Sequence, residues 1–369
     1  MAAVQDPLME AALACAHEAL WRTSPNPRVG CVIADKSGFV LGLGGTQRAG
    51  GPHAEIMALR DAQQRGYSVA GATAFVTLEP CSHRGRTGPC CDALVEAGIV
   101  KVVASIADPN PMVAGNGFAR LRAAGVAVEV GAGAAQSREL NLGFFSRMVR
   151  KTPWVRMKVA ASLDGATALP NGASQWITGP AARADGHVWR ARACAVLTGI
   201  GTVLADNPRL DVREVQTDRQ PALVLVDSAL QVPLDASLFI AGRAVYIYTA
   251  IENDSKKRAL EARGATVIFM PNGQGKVDLA AMVRDLGCRE INELHVEAGY
   301  KLNGSLVREG LVDELLVYLA PKLLGEGCGM LQWGPLTELS QALVLDFTAL
   351  ARVGPDVRLI ARVAGRDRF

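Results

Sequence analysis

Two hydrophobic periods alternate through the first half of the chain. Leu8, Ala12, Leu13, Ala16 and Leu20 recur at helical spacing behind Asp6-Pro7, a cap and a first-turn proline, and predict a helix through Trp21. The run Thr23-Ser24-Pro25-Asn26-Pro27 breaks it. Residues 29–34 are continuously apolar and read as a strand that pairs with 39–43 in a hairpin. A glycine-rich loop, 42–51, then leads to a helix from His53 to about Gln64. Apolar runs at 74–78, 100–106 and 126–130 predict three more strands, separated by helices that open at Cys90 and at Gly117. Gly98 stops the first of these helices. Strands and helices in alternation predict an α/β sandwich.

Residues 134–148 are helical in pattern, and the basic stretch 147–153 ends on Pro153, which places a domain boundary there. The expected domains are 1–148 and 152–369. The second half restarts with a strand at 154–161 and the turn Ser162-Leu163-Asp164-Gly165. A helix at 180–191 and strands near 195–199, 223–226, 245–248, 266–270, 294–296 and 314–319 again predict α/β architecture. A hairpin of 347–352 with 357–363, turning at Gly354-Pro355, closes it. The dinucleotide fingerprint Gly-x-Gly-x-x-Gly is absent. Residues 297–305 read as a turn between a strand and a helix, where backbone amides are placed to cradle a phosphate. Gly304 taken alone reads equally well as a turn residue.

With 369 residues the chain has room for two ordinary domains, and 49% hydrophobic against 20% charged residues excludes a disordered polymer. A net charge of +3 is too balanced for nucleic acid as the main partner. Eight scattered cysteines do not form a disulfide framework and, beside a thiolate-dependent metal site, point to a reducing cytoplasm. Asp6 and Glu10 argue against a signal peptide, and no apolar run reaches the length of a membrane span.

The chemistry sits in Pro52-His53-Ala54-Glu55, Glu79-Pro80-Cys81 and Pro89-Cys90-Cys91. One imidazole and two thiolates make a zinc site with three protein ligands, and an open fourth position is the catalytic arrangement. Zinc lowers the pKa of bound water to about 7, which provides a nucleophile for an amine-bearing ring carbon. Glu55 is read as the acid/base that takes the water proton and hands protons to the ring nitrogen and the leaving amine. Positions i and i+2 of a regular helix point to different sides, so His53 is expected at the helix start. Helix dipoles at such starts help hold thiolates ionised. A structural site would need a fourth ligand, for which Cys91 and His83 are candidates. Cys90 and Cys91 are about 100° apart on a helix, so one of them aims at the ion. The shared Pro-Cys pattern of Pro80-Cys81 and Pro89-Cys90 selects Cys90. His-x-Glu with Pro-Cys-x-x-Cys is the general signature of zinc nucleobase deaminases, and here the insert between the cysteines, 82–89, is longer.

These residues, with Ser-His-x-Gly-Arg-Thr after Cys81 and Asp-Pro-Asn-Pro-x-Val-Ala-Gly at 108–115, resemble the bifunctional deaminase/reductase family of riboflavin biosynthesis. In the second half the resemblance rests on Ser-Leu-Asp-Gly, Ser-Gln-Trp-Ile-Thr, Thr-Val-Leu-Ala-Asp-Asn-Pro, Val-Glu-Ala-Gly and Ala-Pro-Lys-Leu-Leu-Gly, and it covers essentially the whole chain. It implies a cytidine-deaminase-like three-layer α/β/α domain followed by a dihydrofolate-reductase-like α/β domain. The first would deaminate 2,5-diamino-6-(5-phosphoribosylamino)pyrimidin-4(3H)-one, and the second would reduce the ribosyl group of the product to ribityl with NADPH. His53, Cys81 and Cys90 match the family's zinc ligands and Glu55 its proton donor. Ala160, Trp176, Thr202, Asp206, Ser228, Gly299, Tyr300, Lys301, Leu302, Asn303, Gly304 and Ser305 match cofactor positions. Ser174, Arg190, Leu210, Arg213 and Glu297 match substrate positions. Two arginines suit a sugar phosphate, although Arg190 by its own sequence context reads as a solvated helix residue. Thr46 stands where relatives often carry histidine, so a hydroxyl or a water would take over that contact. The resemblance further implies a small-molecule substrate, no nucleic acid or membrane partner, and a homo-oligomer.

Two other readings share the zinc signature. A cytidine, guanine or transfer-RNA adenosine deaminase with an appended α/β domain leaves the second half unexplained and calls for a stronger basic face. A zinc-stabilised binding protein without chemistry has no use for Glu55 and lacks a clear fourth ligand.

Overall fold

The computed structural model of the chain describes residues 6–82, 88–111, 113–217 and 219–369. His83 and the rest of the motif through Thr87 lie outside the described residues. Contacts divide the chain into two units, Met1–Arg150 with Phe369, and Lys151–Arg368.

The first unit begins with α1 (Pro7–Glu18), capped by the Asp6 carboxylate, which accepts from the Leu8 amide at 2.9 Å. β1 (Gly30–Ala34) and β2 (Val40–Gly45) form the expected antiparallel hairpin. α2 (Ala54–Gln64), β3 (Thr73–Val76), α3 (Cys90–Glu96), β4 (Lys101–Ala104), α4 (Asn116–Ala123) and β5 (Ala127–Val130) follow. α5 (Ala134–Leu140) and α6 (Leu142–Arg150) complete the unit. Its sheet has the order β2-β1-β3-β4-β5, with β3, β4 and β5 parallel. Side chains alternate across it. Val32, Ala34, Phe75 and Val103 pack against Met9, Ala12 and Leu13 of α1. Cys31, Ile33, Ala74, Val76 and Val102 pack with Ala54 and Ala58 of α2 and Leu94 of α3. Helices therefore cover both faces, the three-layer arrangement.

The glycine-rich loop expected at 42–51 is in part strand. Gly42 and Gly44 belong to β2, and a Cβ on either would stand 2.3 Å from the Ala58 carbonyl oxygen or 2.4 Å from the Met57 Cβ. The glycines let α2 lie directly on the sheet, which is a packing demand that looks like a turn signal in sequence.

The second unit contains β6 (Trp154–Ser162), α7 (Pro180–Arg192), β7 (Ala195–Gly199), α8 (Ile200–Asp206), β8 (Ala222–Val226) and β9 (Val245–Thr249). It continues with α9 (Asp254–Glu261), β10 (Ala265–Phe269), α10 (Leu279–Cys288), β11 (Glu293–Val296), α11 (Tyr300–Arg308), β12 (Glu314–Ala320), β13 (Leu345–Val353) and β14 (Asp356–Val363). The sheet runs β10-β9-β8-β7-β11-β6-β12-β14-β13, parallel except for the closing antiparallel hairpin. One face of its centre is apolar: Val155, Met157, Val159, Leu294, Val296, Leu315 and Val317 pack with Met282 and Leu286 of α10 and Leu306 of α11. The opposite face of the same strands presents Arg156, Lys158, Glu293, His295 and Glu314. There Arg156 pairs with Glu293 (2.9 Å) and Glu314, Arg192 of α7 reaches Glu293 (2.9 Å), and Arg362 of β14 reaches Glu314 (2.9 Å). Buried carboxylates and guanidiniums persist only when paired in this way.

Candidate active sites

In the first unit, α2, α3 and the chain after β3 bring three donor atoms to one point. His53 is the N-cap of α2, Cys90 the first residue of α3, and Cys81 follows β3 in extended chain. The His53 Nδ1 stands 3.6 Å from the Cys81 Sγ and 3.3 Å from the Cys90 Sγ, and all three donor atoms lie within 4.8 Å of one another. Tetrahedral zinc, with bonds of about 2.0–2.3 Å, sets nitrogen and sulfur roughly 3.6 Å apart, so the donor set fits the ion. Two of the three ligands stand at helix starts, as expected. Cys81 does not, but the Cys90 amide, at the head of α3, donates to its sulfur at 3.3 Å. A hydrogen bond with the Cys90 side chain, foremost, holds the Cys81 thiol well below its ordinary value, at about 4. The same contact, with burial, pushes the Cys90 thiol up, so the two sulfurs compete for one negative charge. A divalent cation between them removes that competition.

Glu55 lies one residue inside α2 and is buried. Burial first, and then the nearby Cys81 sulfur, raise its carboxyl to about 7. Cys91 faces away: its Sγ donates to the Pro80 carbonyl at 3.2 Å and lies 3.5 Å from the Gly117 carbonyl, inside the core. Thr46 is buried, and its hydroxyl donates to the Val29 carbonyl at 3.3 Å.

In the second unit Ala160, Thr202, Ser228, Glu297 and Gly299 stand at or just beyond the C-terminal ends of β6, β7, β8 and β11, the edge where open parallel sheets hold ligands. β7 and β11 are neighbours, and each runs through a glycine, Gly199 or Gly299, into a helix whose first turn has no side-chain cap. Two uncapped helix starts side by side leave amides directed at the same edge, which suits a cofactor phosphate. Thr202 sits there: its Oγ1 is 3.8 Å from where a Cβ on Gly299 would stand. Ala160 is half-buried near the end of β6. Ser228 follows β8, and its Oγ accepts from the Val277 amide at 3.1 Å. Trp176 is exposed, with the Arg183 guanidinium 4.5 Å above its ring, and Ser174 lies in the same segment.

The stretch 299–305 is not a turn entering a helix but the opening of α11 itself. Gly299, Tyr300, Lys301 and Leu302 lie at its start. Asn303, Gly304 and Ser305 are carried round by the helical period: Asn303 donates to the Met330 carbonyl at 3.2 Å, and a Cβ on Gly304 would stand 2.1 Å from the Gln332 carbonyl oxygen. Ser305 donates to the Lys301 carbonyl at 3.2 Å. Asp206, expected in a loop, is the last residue of α8, and the left-handed Asn207 (φ 41°) caps it.

Glu297 follows β11 and forms a bidentate pair with Arg190, Nε to Oε1 at 2.6 Å and Nη2 to Oε2 at 3.0 Å. Arg190 is thus buried in a network rather than solvated. Its Nη1 also donates to the Asp211 carbonyl at 2.6 Å. Lys158, on β6, adds a second cation 3.9 Å from Glu297. Burial works to raise the Glu297 carboxyl, and Arg190 and Lys158 overcome it and hold the group ionised. Leu210 has φ 51° and a buried side chain, so it offers only backbone to a ligand. Arg213 pairs with Asp211 and keeps about half of its side chain exposed (49%). Sequence reasoning passed over Lys158, His295 and Asp211. A charged residue at every second position of an apolar strand was the available signal for the first two.

Comparison with known proteins accounts for both units. The family described as "RibD C-terminal domain" matches residues 153–359, and the "Cytidine and deoxycytidylate deaminase zinc-binding region" matches residues 3–106. Riboflavin biosynthesis protein RibD of Escherichia coli (strain K12) is 45% identical over 365 residues, 95% of this chain and 97% of that protein. The chain belongs to the RibD family. RibD of Aquifex aeolicus (strain VF5) is 38% identical over 95% of this chain and 96% of its own. The solved structure of Acinetobacter baumannii RibD, form 1, superposes with a TM-score of 0.87 at 38% identity, covering 96% of this chain and 98% of that one. A Thermotoga maritima diaminohydroxyphosphoribosylaminopyrimidine deaminase/5-amino-6-(5-phosphoribosylamino)uracil reductase superposes with a TM-score of 0.86 at 30% identity, covering 97% and 98%. As a member of the RibD family the protein is a bifunctional deaminase and reductase of riboflavin biosynthesis, with a zinc-dependent deaminase domain and an NADPH-dependent reductase domain. The RibD C-terminal match removes the reading that left the second half as an unexplained appendage.

Proposed function

We propose that residues 1–148 deaminate 2,5-diamino-6-(5-phosphoribosylamino)pyrimidin-4(3H)-one and residues 152–369 reduce the resulting ribosylamino-uracil phosphate to its ribityl form. The convergence of His53, Cys81 and Cys90 beside a buried Glu55 carries the first half of this reading. Bound zinc would be held by those three residues and would supply Lewis acidity to a water. Glu55, with its carboxyl raised to about 7, is poised to accept the water proton and to deliver protons to the ring nitrogen and the departing ammonia.

Bound NADPH would supply the hydride for the sugar C1 carbon. The first-turn amides of α8 and α11 would hold its phosphates, with Thr202 and Gly299 beside them. Arg213 binds the substrate phosphate with its exposed guanidinium. Glu297, fixed by Arg190, accepts hydrogen bonds from sugar hydroxyls.

Two further readings draw support from the surface and the thiols. A homo-oligomer is supported by β13, an edge strand that exposes Phe347 (75%) and Leu350 (72%) and needs a cover. A reducing cytoplasm is supported by eight free cysteines, two of them needed as thiolates. No helix among the described residues is long and apolar enough to cross a membrane.

Ammonia release from the pyrimidinone phosphate, followed by NADPH oxidation in the same tube, tests the whole reading. Ammonia without NADPH oxidation would leave the second half unassigned.

A further inference from the structure

Glu79 belongs to the metal motif but is not one of the three grouped donors. Its carboxylate is buried and receives four backbone amides. Oε2 accepts from Asp108 (3.0 Å) and Gly115 (2.9 Å), and Oε1 accepts from Gly117 (2.8 Å) and Phe118 (3.3 Å). These amides bracket the segment that leaves β4 and enters α4, so one side chain holds both ends of the loop. Inside the bracket the loop folds on itself: the Asp108 Oδ1 accepts from the Asn110 amide at 2.8 Å, and the Asn110 carbonyl accepts from Val113 and Ala114.

The bracketed segment lies against the ligand turn. A Cβ on Gly117 would stand 2.1 Å from the carbonyl oxygen of Pro80, the residue before Cys81. Arg120 of α4 donates to the carbonyl of Ser82, the residue after it, at 3.2 Å, and pairs with Asp92 of α3 at 2.6 Å. The ligand turn has its own supports, since the Cys90 amide donates to the Cys81 Sγ and the Cys91 amide donates to the Cys81 carbonyl at 3.2 Å. Loss of the Glu79 charge therefore releases residues 108–111 and 113–118 before it releases the metal ligands.

We propose that Glu79 is a positioning residue of the deaminase, holding residues 108–111 and 113–118 as one wall of the substrate site beside the metal. The inference rests on the deaminase reading above. Glutamine keeps the volume of Glu79 but turns one acceptor into a donor facing backbone amides. In the full-length protein, Glu79→Gln should raise the deaminase KM by about tenfold or more, the scale of losing charge-assisted hydrogen bonds. kcat should stay within about threefold, because proton transfer belongs to Glu55. Zinc content should equal that of the parent, and NADPH-dependent reduction of supplied deaminated substrate should be unchanged. Glu79→Asp, which keeps the charge, should recover part of the KM loss. An unchanged KM, loss of zinc, a fall in kcat alone, or loss of both activities would each overturn the proposal, the last by showing a folding role. A parent protein that releases no ammonia would instead defeat the deaminase reading itself.

Discussion

Arg190 and Glu297 meet as a fork on a fork, 2.6 and 3.0 Å, although 107 positions separate them. The pair is buried, and it joins α7 to the end of β11 where the substrate is expected. A charged pair so placed is costly to break, because the survivor is left buried without its partner.

The two arginines named as substrate ligands should therefore behave differently. Arg190→Ala leaves the largely buried Glu297 with the more distant Lys158 in place of a bidentate partner and should destabilise the reductase unit by up to about 3–5 kcal/mol. Arg213→Ala removes a half-exposed guanidinium and should change stability by less than about 0.5 kcal/mol. It should raise the reductase KM roughly tenfold to a hundredfold, with NADPH binding nearly unchanged. Thermal melts beside NADPH fluorescence titrations separate the cases, and equal melting shifts for both variants would contradict the assignment.

Only one of the adjacent cysteines points at the metal position. Cys90→Ser should lose zinc, whereas Cys91→Ser should keep it and lose at most core stability. Metal analysis of the purified variants decides this, and the reverse pattern would move the ligand to Cys91.

Glu55→Gln preserves shape and removes the proposed proton carrier. Deamination should fall by about two orders of magnitude or more, while zinc content, melting temperature and reduction of supplied deaminated substrate stay as in the parent. A near-normal rate of ammonia release would assign the proton transfer to another group.

His295 makes the reductase unit sensitive to acid. Its ring is buried among Glu297, Arg156, Arg190 and Lys158, and burial foremost lowers its pKa to about 3 from an ordinary 6.5. Between those values the unfolded chain binds a proton that the folded chain refuses, so stability falls as pH falls from about 6.5 towards 3. The slope is about 1.4 kcal/mol per pH unit for this group alone. Glu297, whose carboxyl is also held down, adds to the loss below its ordinary value of 4.5. Urea melts at pH 7 and pH 5 should show the drop, and His295→Leu should flatten it. A His295→Leu protein with the parent's pH dependence would place the effect elsewhere.

The α/β architecture, the placing of most strands and the grouping of His53, Cys81 and Cys90 were readable from the chain because they rest on local signals. Strand and helix periods declare themselves within a dozen residues, and His53, Cys81 and Cys90 fall within 37 positions, in motifs whose residue types have few other uses together. Which cysteine of the adjacent pair faces the ion was inferred from a repeated Pro-Cys, and the direction of each Sγ is a matter of helix phase that only coordinates show. The reductase edge was legible only by resemblance. Its partners come from β6, α7, the loop after α8 and β11, and their pairing depends on a strand order, β7-β11-β6, that places the later β11 between two earlier strands. No period along the chain encodes that insertion. Arg190 looked like a solvated helix residue because its partner is remote, and 299–305 looked like a turn because glycine serves close packing as well as turns. Glu79 was visible as a letter of a motif, while its four amides belong to a segment that begins 29 positions away and is brought to it only by the fold.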